Sequence, residues 1–367
     1  MLKALDLWLP AWLNRKPSPP SPGVRHLLLC VCDHFEPFHR VGKPEAVQRV
    51  ELWKREFTRI CRETRDGDGV PPRHTFFYPI EQYDETVVGK LAELCHETGS
   101  DTEIHLHHDR DNAEHMTETL ALAKSRLSDL GLLCRDPEGA IRYGFIHGNW
   151  ALDHSHPEGL HCGVRNELAT LRESGCYADF TLPSAPSRTQ TKTINSLYYA
   201  RGTEAPKSHD AGRRVYVRGD GFTADQDELL LVQGPLALNW ATRKWGLLPR
   251  IENSDLTGAN PPTETRLQLW MDCHITVESR PDWIFVKLHT HGAKPENSRM
   301  FLGEPMQAFH RLLAEKAASD ANFRYHYVSA RELVNILHAA EAGHSGDPSA
   351  FRDFRYRRLS APAPAVA

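Results

Sequence analysis

The chain has 367 residues and a formal charge of −4, nearly balanced, which excludes the basic footprint of a nucleic-acid binder. An apolar fraction of 40% supports a full core, and no apolar run nears the roughly 20 residues that cross a bilayer. The eight cysteines (Cys30, Cys32, Cys61, Cys95, Cys134, Cys162, Cys176, Cys273) are scattered without a CxxC pair, which excludes a dense disulfide framework and fits reduced thiols. With no clear signal peptide, a cytoplasmic protein is expected.

In chain order, residues 1–23 form a first unit. MLKALDLWLPAWL carries leucines and two tryptophans, then a basic, proline-rich NRKPSPPSPG. A helix docked on the protein wall is favoured, with weak membrane-surface association through residues 1–16 as the other reading, because the segment lacks a strongly basic face. Residues 24–342 form the main domain. HLLLCVC (26–32) is a continuous apolar run, the mark of a strand buried on both faces, and it ends in Asp33, His34, Phe35 and Glu36. A helix follows over 44–64, a buried strand over 74–80 and a helix over 87–96. In the strand 103–107 Glu103, His105 and His107 share one face and Ile104 and Leu106 the other. A helix over 114–130 and a strand over 141–146 come next, the latter running into His147, Gly148, Asn149 and Trp150, residues suited to a sugar site. A helix over 165–174 leads to the strand 176–180 with Asp179.

From about 183 to 262 the alternation fails. This stretch is expected to be a β-rich insertion beside the active-site face, with short strands over 196–200, 214–218 and 229–233. A helix over 264–273 returns to the core, and WIFVKL (283–288) ends in His289, Thr290 and His291. Helices over 304–318 and 330–341 flank a strand over 323–328. Residues 343–367 are a basic, then Ala/Pro-rich tail, disordered at its end. The alternation argues for an α/β fold with a parallel sheet or barrel.

Four strands thus end in imidazole or carboxylate groups: Asp33 with His34, His107 with Asp111, His147, and His289. On one barrel rim they describe a divalent-metal site, suited to zinc, with an acid and a base beside it.

On these residues the chain resembles the polysaccharide deacetylase superfamily over roughly residues 24–342. The family's first strand ends in two adjacent aspartates, matched by Asp33 and His34; its second motif, two histidines four apart after "EI", is matched by His107 and Asp111 after Glu103 and Ile104. Leu288 and His289 in WIFVKLHTHG are similar to the strand that supplies the general acid, and ELATLRESGCYADF places Asp179 in the acidic position before the fourth motif. The family's arginine motif has no clear counterpart, since RYGFIHGNW stands there. The resemblance implies a distorted (β/α) barrel and a zinc-dependent hydrolase that removes N-acetyl or O-acetyl groups from a glycan or sugar precursor, in envelope or exopolysaccharide metabolism. It implies His34, His107 and Asp111 as metal ligands, Asp33 as base and His289 as acid. Asp33 as a ligand with Glu36 as base is the variant assignment. Glu36, His147, Asn149, Trp150, Asp179 and His291 would shape the substrate site. The alternatives are a non-catalytic glycan-binding or assembly protein with a decayed site, and an amidohydrolase acting on a non-sugar amide.

Overall fold

The computed structural model describes residues 4–15, 23–219 and 227–361. The proline-rich stretch 16–22, residues 220–226 of the insertion and the tail end 362–367 lie outside the described residues. The elements are α1 (Leu5–Leu13), β1 (Arg25–His34), α2 (Lys43–Glu63), β2 (Thr75–Pro79), α3 (Glu85–Thr98), β3 (Asp101–Leu106), α4 (Ala113–Asp129), β4 (Cys134–Arg135), β5 (Ile141–His147), α5 (Glu167–Glu173), β6 (Cys176–Asp179), β7 (Leu197–Arg201), β8 (Arg213–Arg214), β9 (Glu228–Val232), β10 (Ala237–Lys244), β11 (Leu248–Glu252), α6 (Glu264–Cys273), β12 (Trp283–Thr290), α7 (Pro295–Phe301), α8 (Glu304–Ser319), β13 (Phe323–Val328), α9 (Ala330–Glu341) and β14 (Arg357–Arg358). Local chemistry sets several boundaries. Asp84 accepts from the amides of Thr86 and Val87 at the start of α3, which stops at Gly99 with φ 73°. Ser329 and Glu332 close a reciprocal capping box on α9.

The fold is mixed α/β around a large, mostly parallel sheet. Its order is β12-β1-β2-β3-β5-β6-β9-β7-β8, with β13 also on β1 and β4 joining β5 to β14. The run from β12 through β9 is parallel throughout, so those strands end at one edge. Strand β1 is at the centre. It pairs with β12 along one side and with β13, then β2, along the other. The insertion is only partly separate: β9 lies parallel to β6 in the main sheet, while β10 and β11 form a two-stranded ribbon of their own. The expected strand over 214–218 shrinks to β8, followed by an isolated bridge at Tyr216.

The two faces of the sheet bury different layers. Leu27, Leu29 and Val31 of β1, with Ile104 and Leu106 of β3, pack with side chains of α2, α3, α4 and α8. Leu28, Cys30 and Cys32 face the other way, toward α9, all twelve residues of which are buried. At about 25 cal/mol per Å² of apolar surface, burial on both faces makes β1 costly to displace. All eight cysteines are free. Helix α1 is docked: Trp8 is fully buried with Ala185, Ile194 and Leu236, and Asp6 pairs with Arg188 at 2.6 Å. Among the described residues, no helix is long and apolar enough to cross a membrane.

Candidate metal centre

Period-two alternation puts His34 of β1, His105 of β3 and His289 of β12 on the α9 side of the sheet, near its C-terminal edge. His107, one residue past β3, continues the face of His105, and Glu36 reaches the same point from the turn after β1. The acceptor atoms of Glu36, His105 and His107 lie within 4.8 Å of one another, a group that could hold a metal ion. Glu36 Oε1 is 3.4 Å from His107 Nε2 and 3.6 Å from His105 Nε2.

The hydrogen bonds fix how these rings point. His105 Nδ1 donates to the Ile146 carbonyl at 2.9 Å, so in the neutral ring Nε2 carries the lone pair. That Nε2 is buried without a hydrogen-bond partner, as is Nε2 of His34, whose ring sits 5.0 Å from His105 and is stacked at 4.8 Å on His291. Buried acceptors without donors are costly, and a divalent cation would satisfy them. Burial drives His34 and His289 well below the usual imidazole range, and His291 down to about 4 with help from Lys294, so all three are neutral at pH 7. For His107, burial opposes charge, but Glu36 and Glu81 together raise it to about 9. The imidazoles of His105 and His107 outweigh burial at Glu36 and hold its carboxyl far below the carboxylate range.

His107 Nδ1 donates to Glu81 Oε1 at 2.7 Å, leaving Nε2 to face Glu36. This is the carboxylate–histidine arrangement that orients a metal-binding imidazole. Glu81→Gln is expected to weaken divalent-metal affinity about 10- to 100-fold while the protein stays folded, read by chelator competition.

His289 is held by the segment after β11. Its amide donates to the Ser254 carbonyl at 3.0 Å and its carbonyl accepts from Leu256 at 2.7 Å. That segment is clamped by a buried, bidentate Arg266–Glu252 pair, both contacts at 2.7 Å, with the Trp270 indole N–H on the same carboxylate. Truncating one partner strands the other charge in the interior. Arg266→Ala is expected to lose about 3–5 kcal/mol in urea unfolding.

Asp33 lies on the opposite face from His34. Fully buried toward α2, its carboxylate accepts from the Gly292 amide at 2.6 Å and contacts His74 Nε2 at 2.8 Å. A Cβ on Gly292 would come within 2.1 Å of that carboxylate, so only glycine lets the turn after His291 approach so closely. Asp33 therefore anchors the turn that carries His291. It does not reach the group formed by Glu36, His105 and His107.

The expected trio His34, His107 and Asp111 is not brought together. His107 spends both nitrogens on Glu36 and Glu81, whereas Asp111, in the loop before α4, turns to His108 Nδ1 at 3.0 Å and His115 Nδ1 at 2.7 Å. His147, the last residue of β5, stays at the strand ends but outside the Glu36–His105–His107 group: its Nε2 meets His108 Nε2 and its amide donates to Thr181. Asn149 is exposed and Trp150 half-buried in the turn after β5, both at positive φ. Asp179 is buried against Thr181, and burial raises its carboxyl to about 7. Glu103, on the face of His105, is also removed from the rim, bound by Tyr177 Oη and the Gly144 amide at 2.5 Å each. Sequence reasoning passed over His105 as a ligand, and also Glu81, His74, His108, Cys162 and Glu167. For His105 the signal was present, since alternation set it beside His107.

No protein-family model matches the chain, and no curated protein matches it.

Proposed function

We propose that the chain is a metal-dependent deacetylase acting on an N-acetylated glycan or sugar precursor, on a parallel sheet that curls into a distorted barrel. The observation that carries the reading is the convergence of Glu36, His105 and His107 at the C-terminal edge, where parallel α/β proteins bind ligands, with neutral His34, His289 and His291 around it. The curling is supported by contacts between distant members of the sheet order: Lys287 of β12 donates to the Leu182 carbonyl, just past β6, at 3.0 Å, and a Cβ on Gly234, beyond β9, would lie 2.3 Å from the Lys287 carbonyl oxygen.

Glu36, His105 and His107 would hold the divalent metal, zinc by donor type, and His34 offers a fourth buried nitrogen. The metal supplies Lewis acidity toward the acetyl carbonyl and a lowered water pKa. His289 and His291 are the groups at the rim able to move a proton. At pH 7 a neutral imidazole accepts a proton rather than donating one, so His291 would take the proton of the attacking water and, as the imidazolium, return it to the departing amine. His289, to which the family resemblance gives the general acid, would fill that place only after taking up a proton in turn. Asp33 acts through the Gly292 turn and is a positioning residue in this reading.

The test is acetate release from N-acetylated oligosaccharides by zinc-loaded protein, by chelated protein and by chelated protein reloaded with zinc. Turnover that vanishes on chelation and returns on reloading is expected. Zinc-loaded protein that binds such glycans without releasing acetate would support the non-catalytic alternative instead.

A further inference from the structure

A second set of donors lies at the neighbouring strand ends, starting one residue on from His107. His108 Nε2, His147 Nε2, Cys162 Sγ and a Glu167 carboxylate oxygen lie within 4.8 Å of one another, and they come from three places in the chain: the loop after β3, the end of β5, and the loop before α5 with the first residue of that helix. His147, Cys162 and Glu167 are buried, and the His108 side chain is only 6% exposed.

The outer hydrogen bonds decide what the inner atoms are. His147 Nδ1 donates to the Gly148 carbonyl at 2.6 Å, and His108 Nδ1 donates to Asp111 Oδ2 at 3.0 Å. Neutral rings so held present bare lone pairs at Nε2. Yet the two Nε2 atoms are 2.8 Å apart, and Glu167 Oε1 is 3.2 Å from one and 3.3 Å from the other. Three acceptors pointed at one another repel unless something positive lies among them. Glu167 Oε2 meanwhile accepts from the Asp153 amide at 2.6 Å, which leaves Oε1 aimed inward, and Cys162 Sγ lies 3.5 Å from Oε2.

We infer that these four residues form a second metal site, separate from the Glu36–His105–His107 group, taking a divalent transition cation of the zinc class in a closed two-histidine, one-thiolate, one-carboxylate set. Two imidazoles, a thiolate and a carboxylate are a zinc donor set, and four protein ligands leave no open position for substrate, as in structural sites. Each imidazole has its far nitrogen fixed by a carbonyl or carboxylate, the usual support of a metal-bound histidine.

The site would fasten the 148–167 loop to the sheet. That loop holds Asn149, Trp150, Asp153, His154, His161 and Asn166 at positive φ, conformations that persist only where surroundings impose them. At Gly163, φ 103°, the chain passes so near Asp111 that a Cβ would lie 2.5 Å from its amide nitrogen. The Asp111 amide donates to the Cys162 carbonyl at 2.9 Å, which ties the loop carrying one ligand to the loop carrying another.

Cobalt(II) titration of the metal-free full chain tests this inference independently of any deacetylase activity. Wild-type protein is expected to take up two equivalents and to develop a near-ultraviolet thiolate-to-cobalt charge-transfer band. His105→Ala should lose one equivalent and keep the band. Cys162→Ser should lose the band, and Glu167→Gln should weaken the sulfur-ligated equivalent at least tenfold. The other seven cysteines belong to no converging donor group among the described residues, so the wild-type spectrum is decisive even if Cys162→Ser does not fold. A wild-type protein saturated with cobalt but lacking the band would overturn the inference, and would mean that a proton on His108 fills the gap. A band lost in His105→Ala and kept in Cys162→Ser would overturn it too.

Discussion

His105→Ala should remove the metal from the rim and cut kcat/KM for deacetylation by ~10³-fold or more, the equivalent of several kcal/mol of Lewis-acid stabilisation at 1.36 kcal/mol per decade. His105 is the residue to change because its Nδ1 is committed to the Ile146 carbonyl and its Nε2 has no other partner. Truncation removes a ligand without breaking any ion pair except the 3.6 Å contact with Glu36. The fold should survive, since the neighbouring apolar residues of β3 lie on the other face. Metal uptake should also depend on pH in a definite direction. With its pKa raised to about 9, His107 is protonated at pH 7 in the metal-free protein, and ligation must displace the Nε2 proton. Affinity should therefore rise with pH up to about 9 and fall steadily in acid, with close to one proton released per metal at neutral pH. In the metal-free protein the same His107 ion pairs favour the fold below pH 6.5, and that contribution is lost as pH rises through about 9. Titration calorimetry in buffers of different ionisation enthalpy reads the proton directly.

The second large effect is expected at Asp33, and its character separates two assignments. As a catalytic base, Asp33 replaced by asparagine would lose about 10²–10⁴ in kcat with no change in stability. As an anchor, the effect divides differently. Asp33→Ala leaves the Gly292 amide and His74 unpartnered in a buried site, so about 3–6 kcal/mol of stability should go, from two bonds to a carboxylate worth about 1.5–3 kcal/mol each. Asp33→Asn still offers an oxygen to Gly292, and should keep most of the stability and a substantial share of the activity. The pH profile of kcat should be unmoved in Asp33→Asn, whereas loss of a base would remove its acid limb. Urea unfolding and a pH–rate series on both variants separate the cases.

Much of the fold could be read from the residues. The apolar run ending at Cys32, the helix over 44–64, the strand at 103–107 and WIFVKL all fall within a few residues of β1, α2, β3 and β12, because period and composition agree there. What could not be read was which side of a strand faces the site when both sides are buried. LLLCVC, residues 27–32, is apolar at every position, so nothing in it marks Cys30, Cys32 and the following His34 as turned to α9 and Asp33 as turned to α2. At 103–107 the alternation is explicit, and His105 and His107 do share a face. Asp111 pairs elsewhere for a different reason: three residues of loop separate it from His107, and a carboxylate so placed goes to the nearest donors, here His108 and His115. Cys162 and Glu167 reach His108 and His147 through a loop of left-handed turns that no periodicity announces.

The central claim is that Glu36, His105 and His107 hold one divalent cation at the edge of the sheet. It is tested most directly by crystals of the zinc-loaded wild-type protein, measured above and below the zinc absorption edge. A strong anomalous peak bonded to Glu36 Oε1, His105 Nε2 and His107 Nε2 is the result expected, with Glu81 still on His107 Nδ1. Zinc-saturated crystals with no peak among those three atoms, or with Asp111 rather than Glu36 completing the set, would contradict it.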